Sequence, residues 1–196
     1  MELFLEIIHK DLKILSIKNF YKQSLFDIVR VNNILEENHK LYYLTQLDHY
    51  SKAGYNYPII KNNCDLFFVE LVSSFTDICE KIFKPYTVDV SIYRNIIWCY
   101  RSCGDDYSSV FHDHTKTTTI NGVYYHQTND GDGISFCLKN NSFDDIFTYH
   151  VEENELLIFP DYVRHAPTKP SGNRIRYSLN MEIPTIEPYN SLLNFN

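Results

Sequence analysis

The chain has no Cys-x-x-Cys pair. Its five cysteines, Cys64, Cys79, Cys99, Cys103 and Cys137, are odd in number and irregularly spaced. That pattern excludes zinc-ribbon and thioredoxin-type readings and suits reduced thiols in a cytoplasmic protein. No stretch approaches the roughly 20 apolar residues of a membrane-spanning helix. The opening MELFLEIIHKDLKIL is interrupted by acidic and basic residues and does not read as a signal peptide. Positive charge is not in excess: 18 Lys and Arg stand against 25 Asp and Glu, for a net charge of −7. Nucleic acid is therefore not the default partner, although the sum says nothing about a local groove. There is no internal repeat and no low-complexity linker.

What is present is a chain of 196 residues, 44% hydrophobic, long enough for one structural domain with its own core. Sixteen tyrosines and thirteen phenylalanines can fill a core or line a wide cavity, and the count alone does not choose. The chain changes rhythm near residue 87. Before it, the spacing of Phe67, Leu71, Phe75, Ile78 and Ile82 predicts a helix, capped by Asn63 or Asp65 and stopped at Pro85. A second helix is predicted within 24–47, followed by a loop at YSKAGYNYP. After it come short strand candidates: TVDVSIY with Val88, Val90 and Ile92 on one face, NIIWCY, a stretch around 108–113, TINGVYYHQ, GISFCL, IFTYHV, ELLIFP and RIRYSLNMEI. Turn signals such as TNDGDG and KNNSFDD separate several of them. The expectation is an α+β chain in which a mostly helical segment, 1–86, packs on an antiparallel barrel or sandwich, 87–196.

Three histidines stand out. His112 and His114 are two apart, so on an extended strand their side chains share a face while that of Asp113 points the other way. A third, His165, follows the buried strand ELLIFP and a turn at Pro160-Asp161. Imidazole suits iron, and three ligands leave positions open for further groups. His9, His39, His49, His126 and His150 have no such context and read as surface or core residues. In RIRYSLN, Arg174 and Arg176 share a strand face with Ser178 and Asn180. If that face looks inward, a guanidinium and a hydroxyl can hold a carboxylate; the alternative for Arg176 is a rim position paired with an acid.

Taken in order, His112-Asp113-His114, Asn121-Gly122-Val123-Tyr124-Tyr125, Phe159-Pro160, His165 and Arg174-Ile175-Arg176 before Leu179-Asn180 resemble the Fe(II)/2-oxoglutarate-dependent oxygenases. The pattern is most similar to a group with the core H-x-H, S-G-V-Y-Y, F-P, a lone His and R-x-S. The resemblance spans about 95–183 and does not extend to the first 90 residues. It implies a double-stranded β-helix (jelly-roll) core with a helical N-terminal layer. It also implies Fe(II) on His112, His114 and His165, with 2-oxoglutarate chelating the metal and its far carboxylate on Arg174. Dioxygen and an unidentified organic substrate are the implied partners; the cosubstrate becomes succinate and CO2, and hydroxylation is the usual result. One of Tyr124 and Tyr125 would face the pocket, since alternation allows only one.

Two departures from the family pattern matter. The usual facial triad has Asp or Glu where His114 stands, so Asp113 is the alternative ligand if a bulge turns it inward. The second is Arg176, where the group more often has a small hydroxyl residue; R-x-S can also begin at Arg176 with Ser178, which leaves the cosubstrate arginine open between Arg174 and Arg176, with Arg174 the better fit. Fe(II) with three neutral imidazoles and a dianion sums to zero, so the charge count permits the chemistry. A three-histidine cupin-type dioxygenase that does not use 2-oxoglutarate and a non-enzymatic jelly-roll binding domain are the alternatives.

Overall fold

A computed structural model describes residues 5–21, 25–45, 56–59, 62, 64–83, 97–105, 107, 110–115, 120–138 and 145–184. The elements in chain order are β1 (Leu5–His9), β2 (Ile14–Ile17), α1 (Leu25–Thr45), β3 (Asn56–Pro58), α2 (Leu66–Ile82), β4 (Ile97–Ser102), β5 (Ile120–Gln127), β6 (Gly133–Cys137), β7 (Ile146–His150), β8 (Glu155–Pro160), β9 (His165–Pro167) and β10 (Arg176–Ile183). Seven strands form one antiparallel sheet in the order β1-β2-β8-β5-β10-β4-β3, and three form a second in the order β7-β6-β9. Together they make a jelly-roll.

The central strands β5 and β8 of the large sheet are buried on both faces because both are covered. On β5, Ile120 and Tyr124 face the helices, while Val123 and Tyr125 face the smaller sheet. On β8, Leu156 and Ile158 take the first side, and Leu157 and Phe159 the second. This two-sided burial is why ELLIFP reads as a continuous apolar run rather than an alternating one. The helix α2 supplies most of the outer layer. Asp65 caps it by accepting a 3.0 Å hydrogen bond from the Phe67 N–H, and its periodic residues Phe67, Leu71, Phe75 and Ile78 are buried. The Phe75 ring lies where a Cβ at position 122 would sit, so only Gly122 lets helix and sheet meet. Truncating a buried Phe such as Phe75 to Ala would cost about 3–5 kcal/mol.

The first 84 residues are less helical than their sequence suggests. Both expected helices form, but β1 and β2 make a hairpin that docks on β8, with Leu15 opposite Ile158. Part of the expected loop at 50–58 becomes β3, pairing Tyr57 with Cys99. The N-terminal segment therefore contributes three strands to the main sheet as well as two helices. The expected alternation at Val88, Val90 and Ile92, the cap at Asn63 and the stop at Pro85 lie outside the described residues. Around 108–113 the described residues form a single bridge, at His112. No helix among the described residues is long and apolar enough to cross a membrane.

Candidate active site

A cavity of about 410 Å³ opens between the two sheets. From the large sheet β4 contributes Trp98 and Tyr100, β5 contributes Val123 and Tyr125, and β10 contributes every second residue from Arg176 to Glu182. From the other side come Ile134, His165 and Pro167, with Val110, His112 and His114 closing one end.

Backbone pairing brings the three histidines together. The His112 N–H donates to the His165 carbonyl at 3.0 Å and the His165 N–H returns a bond at 2.9 Å, an antiparallel pair whose side chains share a face. Their ring centroids lie 4.5 Å apart. His114 is held separately, its N–H donating to the Asp161 carbonyl at 2.9 Å. One ring nitrogen from each of the three lies within 4.8 Å of those of the other two.

Each ring is also fixed in orientation. His112 Nδ1 lies 3.1 Å from the Val110 carbonyl and His165 Nδ1 lies 3.0 Å from the Val163 carbonyl. His114 Nδ1 lies 3.0 Å from Glu182 Oε1. A carbonyl or carboxylate accepts, so each Nδ1 carries a proton, which leaves Nε2 as the atom through which each neutral ring would bind a metal. Burial lowers the pKa of His112 and drives that of His165 well below the usual imidazole value, with the neighbouring histidines adding to both shifts. Three clustered imidazoles, each anchored through Nδ1, are a donor set that fits a divalent transition metal.

Asp113 is elsewhere. Its carboxylate is exposed and accepts hydrogen bonds from Thr115 Oγ1 at 2.9 Å and the Thr115 N–H at 3.3 Å, which hold its pKa below the usual carboxylate value. No bulge turns it toward the histidines.

The arginines separate just as clearly. Arg174, preferred from the sequence as the carboxylate anchor, does not line the cavity. It is exposed, paired with Glu153 at 3.0 Å and bonded to the Thr128 carbonyl at 3.3 Å. The reason is where the strand starts: β10 begins at Arg176, opposite Ser102, so alternation into the cavity does not reach back to residue 174. Arg176 is 1% exposed. Its Nε donates to Ser102 Oγ at 3.0 Å and Nη2 to the Thr168 carbonyl at 2.7 Å, with longer contacts from Nη1 to Thr168 Oγ1 (3.4 Å) and the Gly133 carbonyl (3.5 Å). No carboxylate forms an ion pair with it among the described residues. Ser178 and Tyr125 line the same cavity, whereas Tyr124 faces the helices and donates its hydroxyl to Asn154 Oδ1 at 3.1 Å.

Glu182, Asn180 and Trp98 were not singled out from the sequence as site residues, and all three line the cavity. The signal for Glu182 was available: it is the next member of the alternating row Arg176, Ser178, Asn180. Of the other histidines, His126 is buried between sheet and helices, its Nε2 donating to Asn32 Oδ1 at 3.0 Å. His150 lies at the surface against the Gly131 carbonyl. His49 lies outside the described residues.

The fold and the cavity define a jelly-roll with a three-histidine cluster and a buried guanidinium. No protein-family model and no curated protein matches the chain. Among solved structures it is similar to the non-heme alpha ketoglutarate dependent carbocyclase SnoK from nogalamycin biosynthesis, with a TM-score of 0.55 and 9% identity over 89% of this chain and 83% of that one. It is also similar to HygX from Streptomyces hygroscopicus, solved with nickel and 2-oxoglutarate bound, with a TM-score of 0.57 and 12% identity over 90% of this chain and 84% of that one. A prolyl 4-hydroxylase from Phytophthora capsici gives a TM-score of 0.54 at 11% identity, covering 91% of this chain and 61% of that one. At these identities the likeness is one of fold.

Proposed function

We propose that this protein is an Fe(II)- and 2-oxoglutarate-dependent dioxygenase that hydroxylates an organic substrate with release of succinate and CO2. The observation that carries the reading is Arg176. It is a guanidinium buried to 1% exposure, held by neutral acceptors, in the same cavity as the cluster of three histidines. A desolvated cation of this kind is stabilised by an anionic ligand, and its planar fork matches a carboxylate. A dicarboxylate with one end at the histidines and the other at Arg176 satisfies both ends of the cavity.

In this reading His112, His114 and His165 hold the ferrous ion through Nε2. Arg176 binds the cosubstrate's far carboxylate, with the Ser178 hydroxyl next on the same strand face and the Tyr125 hydroxyl nearby. Fe(II), when bound, supplies the dioxygen chemistry of this enzyme class. The chain orients the cosubstrate, directs each Nδ1 to an acceptor and excludes water with Tyr100, Val110, Val123, Ile134 and Pro167. Arg174 has no role in binding. SnoK, described as alpha ketoglutarate dependent, and HygX, which holds 2-oxoglutarate, point the same way as the cavity.

The donor set of three histidines also suits a dioxygenase that works without 2-oxoglutarate; the buried cation favours the cosubstrate. The test is metal analysis of the purified protein followed by an oxygen-dependent succinate-release assay. About one Fe(II) per chain and succinate formation support the proposal. Metal without 2-oxoglutarate binding or succinate would overturn it in favour of the three-histidine alternative.

A further inference from the structure

Glu182 lines the cavity but takes no part in holding the cosubstrate, and its carboxylate lies 3.0 Å from His114 Nδ1. It occupies a strand inside the large sheet, hydrogen-bonded on both sides to β4 and β5, so its place is set by strand register rather than by a loop. Its direct partner on β5 is Asn121, whose side-chain amide is buried at 3% exposure with neither polar atom hydrogen-bonded. Paired residues point to one face. The acid and the unpartnered amide therefore share a face, and the acid meets His114 at the far end of the row that begins at Arg176.

We propose that Glu182 is a positioning residue of the metal centre, supplying its carboxylate through His114 instead of on the metal. The inference rests on the reading of the three histidines as metal ligands. By accepting the Nδ1 proton, Glu182 holds His114 in the tautomer whose Nε2 lone pair points at the metal. His112 and His165 give their Nδ1 protons to neutral backbone carbonyls; only His114 gives its proton to an anion. A carboxylate acceptor on Nδ1 orients a metal-ligating imidazole, and among the three only His114 has one. The charge balance changes as well. A divalent ion, three neutral imidazoles and a dicarboxylate sum to zero, and Glu182 brings the site to −1. That is the balance of a two-histidine-one-carboxylate centre, reached with all three protein ligands neutral.

The experiment titrates Mn(II) alone into wild-type protein, Glu182→Gln and Glu182→Ala by calorimetry. It is read together with imidazole nitrogen NMR of the Zn(II)-loaded proteins. Glu182→Ala should weaken Mn(II) binding about 10- to 100-fold. Glu182→Gln keeps an acceptor oxygen but no charge, and should lose less. The His114 Nδ1–H signal should persist in wild type and Glu182→Gln and disappear in Glu182→Ala, with His112 and His165 unchanged. A purely structural role would lower stability without this ordering and without moving the His114 signal. Wild-type Mn(II) affinity with an unchanged His114 signal in Glu182→Ala would overturn the proposal and leave the histidine cluster standing as a metal site. Loss in Glu182→Gln as complete as in His114→Ala would make Glu182 a ligand, which also overturns it. Wild-type protein that binds no Mn(II) would remove the metal reading itself. If Glu182→Ala does not fold, the Glu182→Gln affinity and signal decide the matter.

Discussion

Replacing Arg176 with methionine should separate cosubstrate binding from folding. In the free protein this guanidinium is 1% exposed and has two good hydrogen bonds, to Ser102 Oγ and the Thr168 carbonyl, both neutral acceptors. Burying an ion costs several kcal/mol after relaxation. Hydrogen bonds to a charged group return about 1.5–3 kcal/mol each. The two terms nearly cancel, so methionine, similar in length and uncharged, should change the unfolding free energy by less than about 2 kcal/mol. Binding is a different case. A carboxylate seated on Arg176 forms a buried ion pair, and removing one partner of such a pair costs roughly 3–5 kcal/mol. At about 1.4 kcal/mol per decade, that is about two to three and a half decades in Kd. Arg176→Lys keeps the charge but loses the fork, and should fall between. The assay is calorimetric titration of 2-oxoglutarate into Mn(II)-loaded wild type, Arg176→Met, Arg176→Lys and the surface control Arg174→Ala, with urea unfolding of each. Tight binding by Arg176→Met with its metal retained, or lost binding in Arg174→Ala, would refute the reasoning.

Further outcomes follow from the same geometry. His112→Ala and His165→Ala should each abolish binding of iron or manganese, while Asp113→Ala, whose carboxylate bonds to Thr115, should keep it; metal analysis after dialysis distinguishes them. Tyr125→Phe should weaken 2-oxoglutarate binding measurably, and Tyr124→Phe, on the helix side, should not, as read by the same calorimetry. His126 is the cleanest pH probe because it lies outside the cavity and burial lowers its pKa from 6.5 to about 4. A histidine with a depressed folded pKa contributes stability that is fully present above 6.5 and is lost as pH falls from there through about 4. The span corresponds to a few kcal/mol. Urea midpoints at pH 7.5 and 4.5 should therefore drop less for His126→Leu than for wild type.

Several parts of this molecule were legible along the chain. The helix α2 was visible because a 3.6-residue period and a capping Asp65 are local properties, and β5, β8 and β10 were visible because apolar runs and two-residue alternation are local too. The same alternation made His112 and His114 a same-face pair and allowed only one of Tyr124 and Tyr125 into the cavity. Folding decided the rest, for a reason common to each case: the partner groups lie far away in sequence. β1, β2 and β3 are three to five residues long and are strands because Leu15 meets Ile158 and Tyr57 meets Cys99. His165 joins the other histidines through backbone bonds that span more than fifty residues. Arg176 rather than Arg174 enters the cavity because pairing with Ser102 sets where β10 begins. Glu182 reaches His114 only because the register of β10 between β4 and β5 fixes which residue arrives there. Period and polarity are carried by neighbouring residues, whereas strand ends and register are set by hydrogen-bond partners that only the folded chain brings together.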